Sequence, residues 1–176
     1  MKETAFKSAW HTSPLGRILV SASCTGITGL WFEGQNNFAS GLGMDSAEFV
    51  HSDDNELISK CFHWLDVYFS GLLPDFTPPL DPRGTDFRLK VWNALLKVEY
   101  GRTASYMDIA REIKGSGQAP GVLCRAIGNA VAHNPISLII PCHRVVGSDG
   151  SLTGYAGGLE RKRKLLEMER NIAKMR

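Results

Sequence analysis

Apolar residues in the first third of the chain fall into short runs, not helical stripes. Ile18-Leu19-Val20-Ser21-Ala22 and Ile27-Thr28-Gly29-Leu30-Trp31-Phe32 read as strands joined by a turn at Thr25-Gly26, with Ala5-Phe6 and its neighbours as a third. Together they predict a small antiparallel sheet. From Asn55 the period changes: Leu57, Ile58, Cys61, Phe62, Leu65, Tyr68 and Phe69 recur at helical spacing until Gly71 and Pro74 stop the run. This helix is expected to cover the sheet. Residues 71–84 hold four prolines, which block regular helix and most strand pairing, and read as a linker. The division that follows is an N-terminal sheet-and-helix domain at 1–82 and a second domain at 83–176.

Beyond the linker, Thr85 or Asp86 can cap a helix with Phe87, Val91 and Leu95 on one face, ending near Tyr100-Gly101. Ser105-Tyr106-Met107-Asp108 fits a capping box that opens a short helix with Ile109, Ala110 and Ile113 inward. The glycine-rich stretch 114–121 breaks it. A third helix runs from 122 to about 132 and stops by Asn134, because Pro135 disfavours helical geometry in the residue before it. Residues 136–140 are predicted as a short buried strand ended by Pro141, with Cys142 at its terminus. Residues 145–153 read as a small hairpin about Ser148-Asp149-Gly150. A last helix, 159 to about 174, is expected to turn Leu159, Leu166 and Ile172 inward and Arg161-Lys162-Arg163-Lys164 mostly outward. The fold class is therefore α/β in the α+β sense: a small antiparallel sheet with a helix, then a helix-turn-helix domain of winged-helix type. Three-helix packing unrelated to nucleic acid is the plainer reading of the same pattern.

Composition narrows the class. A chain of 176 residues, 43% hydrophobic and 22% charged, can bury a sizeable core. No apolar run approaches a bilayer span, and Met1-Lys2-Glu3-Thr4 lacks a signal-peptide pattern, so an intracellular protein is expected, cytoplasmic or, in a eukaryote, nuclear. Cys24, Cys61, Cys124 and Cys142 are few and widely spaced, which favours reduced thiols over a disulfide framework or zinc finger. Charge is unevenly divided: residues 1–82 carry four basic and ten acidic side chains, residues 83–176 sixteen and eight. The second half is suited to meeting phosphates, although a solvated basic surface would have the same composition.

A thiol attacks only as its thiolate and needs a neighbour that takes its proton. Cys142 is followed by His143, but adjacent side chains on extended backbone point apart, and a lone cysteine after an apolar run is more often inert. The wider run decides the matter. Asn134-Pro135-Ile136-Ser137-Leu138-Ile139-Ile140-Pro141-Cys142-His143-Arg144-Val145, followed by Gly154-Tyr155-Ala156-Gly157-Gly158, is similar throughout to the active-site signature of the O6-alkylguanine-DNA alkyltransferases. The resemblance runs clearly from about residue 87 to 169 and weakly into the N-terminal half.

That resemblance implies direct-reversal DNA repair. Cys142 would take the alkyl group from O6 of alkylguanine in duplex DNA, once per protein and without cofactor or metal, with O4 of alkylthymine left open as a second alkyl source. His143 would draw the thiol proton through a water and Glu169 would orient the imidazole, Glu167 being the adjacent alternative. Tyr106 would serve the departing guanine. The Ala156 N–H would bond O6, carbonyls of Cys142 and Val145 would read the amino group, Tyr155 would wall the pocket beside Pro141, and Gly157-Gly158 would let the loop approach. Asn134 would act as a structural hinge. The base must be extruded from the stack. Arg125 would fill the gap, and Ala126, Gly128, Asn129, Ala130 and Ala132 would bring the third helix into the minor groove with little base readout. Taken singly, Arg125 also fits a solvated arginine, Tyr106 a core tyrosine and Glu169 a surface carboxylate. The expected state is a monomer bound to duplex DNA, with no membrane partner. Alternatives are a non-catalytic protein that flags alkylguanine, a transcription regulator and a cysteine hydrolase.

Overall fold

A computed structural model describes residues 6–40, 47–49, 54–113 and 120–174. The expectations placed on Ala5 and on 114–119 lie outside these residues. Strands β1 (Phe6–Ser13), β2 (Gly16–Ala22) and β3 (Ile27–Phe32) pair antiparallel in the order β3-β2-β1, as the apolar runs required. A fourth strand that the sequence did not suggest, β4 (Ala47–Phe49), pairs parallel on the free edge of β1. Only three residues long, it offers too short a pattern to read.

Helix α1 (Glu56–Phe69) opens on Asn55, whose side chain accepts from the Ile58 N–H, and buries Ile58, Cys61, Trp64, Leu65 and Tyr68 against the sheet. Residues 71–84 are irregular, as four prolines dictate. They are nonetheless fastened to the sheet: Ile27 N–H donates to the Pro79 carbonyl, Asp81 N–H to the Ile27 carbonyl, and Asp81 accepts from Ser23, Thr25 and Arg83.

Helix α2 (Asp86–Leu95) is capped by Thr85 and buries Val91, Trp92, Ala94 and Leu95, ending about five residues before the expected Tyr100-Gly101 because turns take over at Leu96. A two-residue strand, β5 (Ala104–Ser105), leads into α3 (Tyr106–Glu112), where Ser105 and Asp108 form the anticipated capping box. Helix α4 (Pro120–Ala132) begins two residues early, with Pro120 at its first position, where a missing N–H costs nothing. It packs on α2 and α3, and the Trp92 indole donates to the Ala130 carbonyl.

Three local expectations require correction. Residues 136–140 form no strand: Ile136 makes one parallel bridge to Leu30, and turns follow, with Leu138 at φ +70°. A continuous apolar run fits a buried turn as well as a buried strand, and here the Asn134 side chain supplies the hydrogen bonds a strand partner would have made. The hairpin is also absent. Strand β6 (Val145–Val146) pairs parallel with β5, while Ser151 returns only far enough to accept from the Gly147 N–H. Finally, α5 (Leu159–Lys174) buries Lys162, Leu165, Leu166 and Glu169, whereas Leu159, on its first turn, is 49% exposed. Among the described residues no helix is long and apolar enough to cross a membrane.

Candidate active site

Placement of Cys142 starts with Asn134. Released from α4 by Pro135, its amide accepts from the Ile136 N–H (3.0 Å) and donates to the Ile140 carbonyl (2.8 Å), closing 134–140 into a compact turn. The turn rests on β3: Leu30 donates to the Pro135 carbonyl and Ser137 to the Leu30 carbonyl. Pro141, itself buried, then delivers a single 3-10 turn, Cys142–Arg144, all three side chains of which are buried. This turn, not a strand end, decides the geometry, because it lets His143 and Arg144 face the same carboxylate.

That carboxylate is Glu169, fully buried on α5. Five donors converge on it. His143 Nε2 lies 2.7 Å from Oε1, the Tyr68 hydroxyl donates to Oε1 (2.8 Å), Arg144 Nη2 to Oε1 (3.0 Å), Arg144 Nε to Oε2 (2.9 Å) and Gly101 N–H to Oε2 (3.2 Å). Burial pushes the Glu169 carboxyl up, but His143 and Arg144 outweigh it and hold it at about 2. An ionised carboxylate only accepts, so His143 carries its proton on Nε2 and presents Nδ1 as a bare lone pair. Nδ1 is buried and has no partner among the described residues. Burial also keeps the imidazole neutral, its pKa below the usual range despite Glu169.

The Cys142 thiol is 3% exposed. Burial raises its pKa, while the Asn134 amide and the nearby Lys162 ammonium oppose that rise. Lys162 is fully buried and, among the described residues, bonds only main-chain carbonyls: Val145 (2.5 Å), Thr153 (2.7 Å) and Gly154 (3.4 Å). It thereby ties the chain on either side of the 147–152 loop to α5. The Val145 carbonyl is thus already engaged once, and the Cys142 carbonyl accepts from Val145 N–H, which leaves each one lone pair.

Tyr155, Ala156 and Gly157 form the loop before α5. A Cβ at Gly157 would lie 2.6 Å from the Tyr155 ring, and Gly158 has φ +89°, so both positions need glycine. The Tyr155 hydroxyl is buried without a partner among the described residues, and Ala156 accepts from the Asn36 N–H (3.0 Å). A cavity of about 390 Å³ lies against Tyr106, Gly128, Tyr155, Ala156 and, from the N-terminal half, Asn36 and Asn37. A second, of about 550 Å³, is lined by Tyr106, Cys124, Arg125, Gly128 and Thr153. Tyr106 stands between them, 3.4 Å from the Thr153 hydroxyl. Arg125, Ala126 and Asn129 are exposed on α4; Asn129 accepts from Arg88 (3.5 Å). Glu167 is exposed, away from His143.

Tyr68, Arg144, Lys162 and the Asn36-Asn37 segment escaped the sequence reading. Only Lys162 left a usable signal, since it lies seven residues before Glu169 and hence on one face of α5.

Comparison with known proteins places the chain in a family. Residues 86–171 match the family model described as 6-O-methylguanine DNA methyltransferase, DNA binding domain, and residues 7–82 the one described as 6-O-methylguanine DNA methyltransferase, ribonuclease-like domain. The chain is similar to a Methylated-DNA--protein-cysteine methyltransferase of Mycobacterium bovis, 53% identical over 109 residues, which are 62% of this chain and 63% of that protein, less than two thirds of its length. It is 39% identical to the protein of that name from Mycobacterium leprae over 90% of this chain and 89% of that one. A crystal structure of Mycobacterium tuberculosis OGT in complex with DNA superposes with a TM-score of 0.81 at 38% identity, covering 94% of each chain. The chain belongs to the O6-methylguanine DNA methyltransferase (methylated-DNA--protein-cysteine methyltransferase) family.

Proposed function

We propose that this protein repairs DNA by direct reversal, moving the alkyl group of O6-alkylguanine in duplex DNA to Cys142 in a single, irreversible turnover. The observation that carries the reading is His143 Nδ1, a buried lone pair without a partner among the described residues, in the residue next to a buried thiol and backed by an ionised Glu169. A base so placed can take the thiol proton through one water and become imidazolium against Glu169. The thiolate sulfur then attacks the alkyl carbon. A sulfur–carbon bond forms, the carbon–O6 bond breaks with its electrons going to guanine, and guanine regains a proton with help from the Tyr106 phenol. The spent protein keeps a thioether.

Residues 83–176 carry this chemistry and residues 1–82 support it. Duplex DNA meets the basic half at α4, whose small exposed residues suit a minor groove, and Arg125 takes the place of the extruded base. Asn134 shapes the Cys142 turn, and Pro141, Val145, Tyr155, Ala156 and Gly157 bound the guanine site. The protein works as a monomer in the cell interior and needs no cofactor.

Intact-protein mass tests this after incubation with excess short duplex containing one O6-methylguanine. One methyl gained per chain is expected, absent with unmodified duplex and with Cys142→Ser. Lesion-selective binding without mass gain would instead identify a protein that flags damage.

A further inference from the structure

The carboxylate behind His143 is held from both halves of the chain. Tyr68, fully buried on α1, crosses from the sheet-and-helix half and donates to Glu169 Oε1 at 2.8 Å, the same oxygen that faces His143 Nε2 at 2.7 Å. Its ring is locked in place, stacked on Trp64 and edge-on to Phe69 and Tyr100, so the hydroxyl has little freedom to leave. We propose that Tyr68 is a positioning residue for alkyl transfer, which through Glu169 Oε1 limits how strongly the carboxylate holds the His143 proton and so sets the basicity of Nδ1. This inference rests on the function proposed above.

Each donor on Oε1 withdraws charge from the oxygen that His143 must share. The other charged or titratable groups around the pair are Arg144 and Cys142 from the 3-10 turn, Lys162 from α5, Tyr100 from the segment after α2, and Tyr155 from the loop before α5. Arg144 contacts both oxygens and is pinned by the Val98 carbonyl, so it holds the carboxylate ionised whatever happens at Tyr68. Removing the Tyr68 hydroxyl therefore leaves Glu169 charged but frees one lone pair of Oε1 for Nε2–H. The imidazolium is then favoured, and His143 titrates at higher pH.

The test uses the full chain with ¹⁵N-labelled histidine. NMR titration of the His143 ring is compared between the natural sequence, Tyr68→Phe and a packing control on the same helix, Ile58→Val. An upward move of the Tyr68→Phe midpoint by about half a pH unit is expected, with Ile58→Val unmoved. Single-turnover methyl transfer against pH should then show the acid limb displaced by the same amount. At the natural protein's midpoint the rate falls about twofold, approaching about threefold well below it; above it the rate is equal or higher, and lesion affinity is unchanged. An unmoved or lowered His143 midpoint, or a loss uniform at every pH, overturns the inference. Absence of methyl transfer by the natural protein overturns the proposed function instead, and the NMR titration still decides what Tyr68 does.

Discussion

Glu169 and Lys162 are the two charges buried on α5, and they are satisfied in opposite ways. Glu169 has cationic and neutral donors on both oxygens, so its charge survives burial. Replacing it with glutamine keeps the shape but removes the anion that fixes the His143 tautomer. Methyl transfer by Glu169→Gln should slow about 100-fold in single-turnover assays while lesion binding persists; a rate within twofold of the natural protein would remove Glu169 from the mechanism. Lys162 has no carboxylate partner among the described residues, only carbonyls. Lys162→Met strands those buried acceptors, a loss that relief of the buried charge partly offsets, and should lower stability by about 2 kcal/mol in urea titration.

At the scale of elements, the segment 134–144 converts an apolar run into a presenting device. A single side chain, Asn134, organises it, so Asn134→Ala should cost about 2 to 3 kcal/mol in urea titration and slow alkylation of Cys142, since two main-chain groups and the thiol lose a partner together. A stable variant with unaltered kinetics would show that the flanking contacts with β3 suffice. Helices α2 and α3 were legible because each carries its own start signal, Thr85 and the Ser105–Asp108 box, which cap as their residue types predict, while α1 was legible from its period. The segment 136–153 was not. Its hydrogen bonds go to side chains and to partners distant in sequence, Ala104, Leu30 and Lys162, which no local period encodes.

For the molecule as a whole, the buried network ties stability to pH. His143 and Glu169 both have folded pKa values depressed below their ordinary values of 6.5 and 4.5. Each therefore contributes stability above its unfolded value that is lost as pH falls, His143 first below about 6.5, then Glu169 from 4.5 toward about 2. Urea midpoints should fall progressively from pH 7 to pH 3. Because Asp81 and Asp108 shift in the same direction, the difference between the natural protein and Glu169→Gln isolates the Glu169 share. A difference constant with pH below 4.5 would contradict the assignment. The same network joins the halves, since Tyr68 and Leu30 of β3 donate from one side to Glu169 and the Pro135 carbonyl on the other.

By itself the sequence determined the three antiparallel strands, the helices with the caps at Thr85 and Ser105, the excess of basic residues after Pro82 and the family signature around Cys142. These are properties of short windows, where period, cap chemistry and residue type act locally. Tertiary structure alone decided which carbonyls meet the Lys162 ammonium, that residues 136–140 turn where a strand was expected, and that Tyr68 reaches Glu169 across 101 positions of sequence. A buried charge is settled by whichever donors and acceptors the folded chain brings to it, and those partners lie on other elements.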